Sequence, residues 1–138
     1  MDSRDCGQEL REVGLKVTPA RLGVLSVLKQ SEFPLDVSAI GELLEKQRVH
    51  ADPVTLFRVL HAFEKKGLVR AVHLHEGKFR YEYAHIPAHH HFVCEACGSI
   101  SDVSNCTVSQ MEQEIKRRIG ATVKRHSLEF FGLCRRCA

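Results

Sequence analysis

Cys94 and Cys97 form one Cys-x2-Cys pair, and Cys134 and Cys137 form a second with 36 residues between the two. A Cys-x-x-Cys turn presents two thiolates to one ion, and two such turns close a tetrahedral shell around zinc with no open position. A closed shell is structural, and its binding energy becomes folding energy for a segment too small to build much core. Such an ion would clamp the C-terminus onto the segment carrying the first pair. Two local redox disulfides or an iron centre are the other chemistries open to the same residues.

The nine histidines are unevenly placed, and His85, His89, His90 and His91 crowd into seven residues just before Cys94. On an extended segment the rings of His89 and His91 point to one side and that of His90 to the other. This geometry suits two metal sites on opposite faces, each completed from elsewhere. Glu82, Asp36 and Asp102 are carboxylates that could close a site with His89 and His91. A shell of imidazoles and carboxylates is harder than four thiolates and suits Fe(II), Mn(II) or Zn(II). Its ligands come from both halves of the chain, so a bound ion would set the angle between them, as a reversible sensor requires. The plainer reading is an exposed histidine-rich loop that picks up metal adventitiously. Cys106 lies outside both pairs and reads as a packing residue, a soft extra ligand or an oxidisable thiol. Cys6 carries no functional reading.

The first half of the chain supplies helices to position these groups. Thr18 is a good N-cap, Pro19 fits the first helical position, and Leu22, Leu25 and Leu28 follow at helical spacing. Ser38 precedes a short amphipathic helix over 39–45. Asp52-Pro53 opens another, which ends at Lys65-Lys66-Gly67 with cations in its last turn. In that helix Leu56, Val59, Leu60 and Phe63 form a buried stripe, leaving Thr55, Phe57, Arg58 and His61 on other faces. A helix that reads the major groove needs short polar and planar groups near its N-terminal end and a cation for phosphate. Thr55 and Arg58 meet that need, Phe57 can touch a thymine methyl, and Lys16 is a second phosphate contact. An ordinary amphipathic surface helix would carry the same stripe.

After Gly67 the period changes: Val69, Ala71 and Phe79 to Tyr83 are β-prone, with a turn at 75–78. Helices followed by a two-stranded ribbon make a winged helix-turn-helix over 1–83. A hinge at 84–88, containing Pro87, leads to a second α/β unit over 89–138. There, 91–94 and 99–103 read as strands, Val108, Met111, Ile115 and Ile119 as one face of a helix ending at Gly120, and 122–131 as a last strand. The fold class is α+β.

Of the 138 residues, 43% are hydrophobic and 27% charged, as in soluble globular proteins. No apolar run approaches the roughly 20 residues a membrane helix needs, and Met1 to Asp5 lacks the apolar core of a secretory signal, so a cytoplasmic protein is expected. A formal charge of +3 permits nucleic-acid binding without demanding it. No helical His-Glu-x-x-His and no activated nucleophile is present, which sets a metallohydrolase aside. A metal carrier would need no recognition helix, and Thr55 to Leu60 argues against one.

These stretches resemble the ferric-uptake-regulator family over nearly the whole chain. The matching runs are Gly14 to Arg21, Thr55 to Leu60, Lys66 to Val69, His89 to Gly98, His126 to Leu128 and Gly132 to Cys137. The resemblance implies a homodimer, joined through the second unit, that binds a palindromic double-stranded DNA operator when its regulatory metal is loaded, usually repressing transcription. It also implies DNA contacts from Lys16 and Arg58, with Phe57 replacing a tyrosine that usually touches a base. The four cysteines match structural zinc ligands. The regulatory site maps onto Glu82, His89 and His91, with Asp36 where a histidine often stands and Asp102 where peroxide-sensing members carry a carboxylate. A second site maps onto His90 and His126, with Ala88 and Ser109 in place of a histidine and a glutamate. An iron-responsive repressor is expected; a zinc-uptake or peroxide-responsive regulator of the same family is the alternative.

Overall fold

A computed structural model describes residues 3–74, 77–85, 89–103, 108–124, 126 and 128–138, with side chains from Cys6 onward. The chain divides into two compact units, Met1–His85 and Ile86–Ala138.

The first unit contains α1 (Ser3–Glu12), α2 (Pro19–Gln30), α3 (Val37–Lys46), α4 (Pro53–Lys65), β1 (Val69–His73) and β2 (Phe79–Tyr83). Thr18 caps α2 by accepting from the Arg21 amide at 3.2 Å, and Pro19 sits at the first position. Asp52 caps α4 through the Thr55 amide at 2.7 Å, and Gly67, with φ of 74°, takes the left-handed turn that ends it. Leu56, Val59, Leu60 and Phe63 are buried, so the helical period was enough to orient α4. They pack with Val24, Leu25, Leu28, Ile40 and Leu44 in one core. β1 and β2 pair antiparallel, and Leu35 joins β2 by reciprocal backbone bonds with Tyr81 of 2.9 and 2.7 Å.

Two features differ from the sequence reading. The helix α1 was not anticipated, because its apolar stripe among described side chains is only Cys6 and Leu10. Both are fully buried against the core. Its Glu9 also pairs with Lys29 of α2 and accepts a 2.5 Å bond from the Tyr83 hydroxyl. The start of α3 is the second difference: its cap is Asp36, not Ser38, with Oδ1 accepting from the Ala39 amide at 2.7 Å. An N-cap side chain must reach the third amide of the helix, and Asp36 stands three residues before Ala39.

The second unit contains β3 (His90–Cys94), β4 (Ile100–Val103), α5 (Val108–Ile119) and β5 (Glu129–Gly132). The sheet order is β4-β3-β5, antiparallel on one side of β3 and parallel on the other. The last strand is shorter than the expected 122–131. Its ladder begins at His91↔Glu129, and the described residues of 120–128 form no strand. On α5 only Val108 is buried, while Met111 and Ile119 are 62% and 74% exposed.

Candidate metal centres and nucleic-acid interface

The β3–β5 pairing and the two knuckle turns bring the four paired cysteines together. Their sulfurs all lie within 4.8 Å of one another, and Cys97 Sγ is 3.8 Å from Cys134 Sγ. A zinc–sulfur bond of about 2.3 Å places tetrahedral sulfurs about 3.8 Å apart. The same separation is far beyond the roughly 2.05 Å of a disulfide, and all four are free thiols. The first knuckle is shaped by Gly98, whose φ is 75° and whose amide donates to the Cys94 carbonyl at 2.9 Å. The second is shaped by the Cys137 and Ala138 amides, which donate to the Cys134 carbonyl at 2.9 and 2.8 Å.

The Cys97 and Cys134 amides both point at Cys94 Sγ from 3.4 Å. They favour the thiolate and bring the Cys94 thiol down to about 6. Hydrogen bonds among the neighbouring sulfurs, with Cys134 first, push the Cys137 thiol up to about 12. Four sulfurs this close cannot all ionise by themselves; a dication resolves the conflict. The donor set fits a closed structural zinc.

The alternation read over 89–91 falls at the start of β3, with His89 just ahead of the strand. His89 and His91 have ring centroids 4.8 Å apart at an interplanar angle of 83°, with ring nitrogens within 4.8 Å. Asp102 faces His91 across the β3–β4 ladder, with Oδ1 3.8 Å from His91 Nε2. Two imidazoles thus stand side by side in the second unit, with a carboxylate near one of them. The ring of His90 instead lies 5.2 Å from that of His126. His126 Nδ1 is 2.7 Å from Glu112 Oε1, a carboxylate the sequence reading overlooked. Glu112 is three residues past Ser109 on α5, so both face the same side of that helix.

In the first unit Glu82 is buried on β2 and paired with Arg70 on β1 at 3.2 Å. Asp36 is fully committed. Its second oxygen accepts from Lys78 Nζ at 2.6 Å, and Lys78 together with the Ala39 amide holds its carboxyl below the ordinary range. Cys106, Ala88 and His75 lie outside the described residues.

On α4, Phe57 is 55% exposed and Arg58 is exposed, while Thr55 is half-buried. Lys16 is exposed ahead of α2, and its carbonyl accepts from Arg21 Nη1 at 2.8 Å, which fixes the backbone there.

Residues 12–131 match the model of the ferric uptake regulator family. The ferric uptake regulation protein of Neisseria gonorrhoeae is 31% identical over 130 residues, covering 94% of this chain and 90% of that protein. The crystal structure of the Vibrio cholerae ferric uptake regulator superposes with a TM-score of 0.81 at 32% identity, covering 93% of this chain and 98% of that one. The Pseudomonas aeruginosa ferric uptake regulator, solved with manganese, gives 0.79 at 27% identity, with 94% and 98% covered. Two distinct ligand clusters, a helical unit with a two-stranded wing and this likeness converge: the chain belongs to the ferric uptake regulator family and is a metal-responsive transcription regulator, not an enzyme.

Proposed function

We propose that this chain is a repressor that binds a palindromic operator as a homodimer when an ion, foremost Fe(II), occupies a site formed by Glu82, His89, His91 and Asp102. The observation that carries the reading is the contrast between its two donor sets. The thiolates form a closed shell, whereas His89 and His91 stand side by side, with Asp102 beside His91 alone, as the start of an incomplete, harder set suited to reversible loading. Glu82 follows from the family resemblance and from its place seven residues before His89. The bound ion would supply charge neutralisation and a fixed link between the units; the residues supply its donor atoms. Asp36 takes a structural role as helix cap.

Two further surfaces support the reading. Phe57 and Arg58, with Thr55 and Lys16, offer the base and phosphate contacts of an operator. The exposed row Met111, Ile115 and Ile119 on α5, flanked by Gln110, Glu114 and Arg118, is what a second copy of the chain would cover. Among the described residues no helix is long and apolar enough to cross a membrane.

The test is anisotropy on a duplex selected from a palindromic library, using zinc-replete protein with Fe(II), Mn(II) or Zn(II) added in turn under anaerobic conditions. Binding is expected only with the regulatory ion present and should weaken steeply as salt rises. Arg58→Ala should weaken it about tenfold or more. Equal affinity in chelator-treated, still zinc-bound protein would remove the repressor reading. A response to Zn(II) alone, or loss on peroxide treatment, would move the chain to the zinc-uptake or peroxide-responsive branch.

His90, His126 and Glu112 form the second site in this proposal, with Glu112 replacing the carboxylate that Ser109 lacks. Glu112→Gln is expected to lower metal affinity there by about tenfold and leave the regulatory ion in place, as read by metal titration calorimetry. Unchanged stoichiometry and affinity would reduce the trio to a surface ion pair.

A further inference from the structure

Glu82 and Arg70 stand directly opposite each other on the β1–β2 ladder. Their side chains differ in environment: Glu82 is 8% exposed and Arg70 is 42% exposed. A carboxylate taken that far out of water requires a counter-charge, and the Arg70 Nη2 atom supplies one at 3.2 Å. The pair is not built like a permanent structural bridge. Its shortest contact is 3.2 Å, and Arg70 Nε is buried with no hydrogen-bond partner, so the guanidinium is not used to its full bonding capacity. The arginine is thus held to Glu82 mainly by charge, with half of its side chain already in solvent.

We propose that Arg70 is a built-in competitor for the regulatory ion: it neutralises Glu82 in the metal-free protein and must yield to a divalent cation for that ion to bind. This rests on the reading of Glu82 as a regulatory ligand. Two cations on one carboxylate repel, so loading the ion releases the guanidinium to water, and its exposure keeps that release cheap. The arginine raises the metal concentration at which the site fills. It also favours ions that bring two charges and a strong preference for oxygen over monovalent ones. Arg70 is therefore a residue that sets threshold and specificity without being a ligand.

The measurement is Mn(II) binding to zinc-replete full-length protein, with free Mn(II) read from its electron paramagnetic resonance signal. Arg70→Met is expected to tighten Mn(II) binding about three- to tenfold, and Arg70→Lys, which keeps the charge, to stay within about twofold of the parent. Arg70→Gln serves the same purpose should the methionine variant misfold. Glu82→Gln is expected to weaken binding at least about tenfold and to abolish the effect of Arg70→Met in the double variant. Should Glu82→Gln leave binding unchanged, Glu82 is no ligand and the reading beneath this proposal fails. Should Glu82→Gln weaken binding while Arg70→Met leaves it unchanged or weaker, the ligand reading stands and the competitor role is overturned. Tightening by Arg70→Met that persists with Gln at position 82 also overturns it.

Discussion

The Cys94→Ser substitution is expected to strip the structural zinc and unfold residues 86–138 while the helical unit ahead of them stays folded. The reason is the poverty of the second core. Among the described residues of that unit, Val93, Cys94 and Val108 are the buried hydrophobic side chains, against fifteen in the core of the first. A segment of that size cannot offset its chain entropy by burial of three side chains. Structural zinc in small domains contributes on the order of 10 kcal/mol or more at neutral pH, and here that contribution decides the sign. Cys94 is the most exposed to this argument because it is almost wholly buried and its sulfur receives the Cys97 and Cys134 amides, which orient both knuckles. Serine cannot bind zinc as thiolate does, and those amides would lose their anionic acceptor. Zinc content by mass spectrometry of the native protein, together with backbone amide exchange over 90–132, checks the outcome. Retention of protected β3 and β5 amides in zinc-free protein would show that packing alone holds this unit. The first unit, with its own core from Cys6 to Tyr81, should keep its helical circular dichroism in either case.

Local signals carried much of this molecule. The Thr18-Pro19 and Asp52-Pro53 starts, the four-residue stripe of α4 and the alternation of His89, His90 and His91 each depend on neighbours within one or two turns. The cysteine pairs were legible because a closed zinc shell demands few other things. What was missed depends on partners far along the chain. Helix α1 is held by Lys29 and Tyr83, and Asp36 owes its ion pair to Lys78, 42 residues later. By type, Asp36 was as good a ligand as Asp102; only the cap and the lysine separate them. Glu112 became visible as a partner of His126 because α5 turns it to the same side as Ser109, one helical turn away, which a position-by-position match overlooks. Arg70 opposite Glu82 depends on a register set by the β1–β2 hairpin, which no composition rule could supply. The apolar face of α5 was legible as a stripe, and its exposure was not, because the stripe alone does not say what covers it. Its Met111 and Ile119 remain in solvent.

Replacing His91 separates regulation from architecture, because its ring is buried within the second unit yet takes no part in the thiolate cluster. The His91→Ala variant is expected to keep its zinc, its fold and its dimer, and to lose regulatory-metal affinity by about 100-fold or more. Outer partners of metal ligands typically cost 10- to 100-fold when removed, and a direct ligand sits at or above the top of that range. In the proposed set His91 is the central member: His89 lies against its ring at 4.8 Å and Asp102 faces its Nε2 at 3.8 Å. Its loss leaves one imidazole and two acids, a set that water-bound calcium or magnesium would share and that discriminates poorly for transition ions. An ion can shift the pose of the two units only by its differential affinity for the binding-competent one, so weaker coordination translates into weaker operator binding at fixed metal. At a Mn(II) concentration that saturates the parent, operator affinity of His91→Ala should fall to the metal-free level. It should recover only when the ion is raised in proportion to the lost affinity. Linkage adds a second reading: operator DNA should tighten Mn(II) binding to the parent by the same factor that Mn(II) tightens DNA binding. A His91→Ala protein that binds Mn(II) within about threefold of the parent, or that still represses under chelation, would place the switch outside the imidazole cluster.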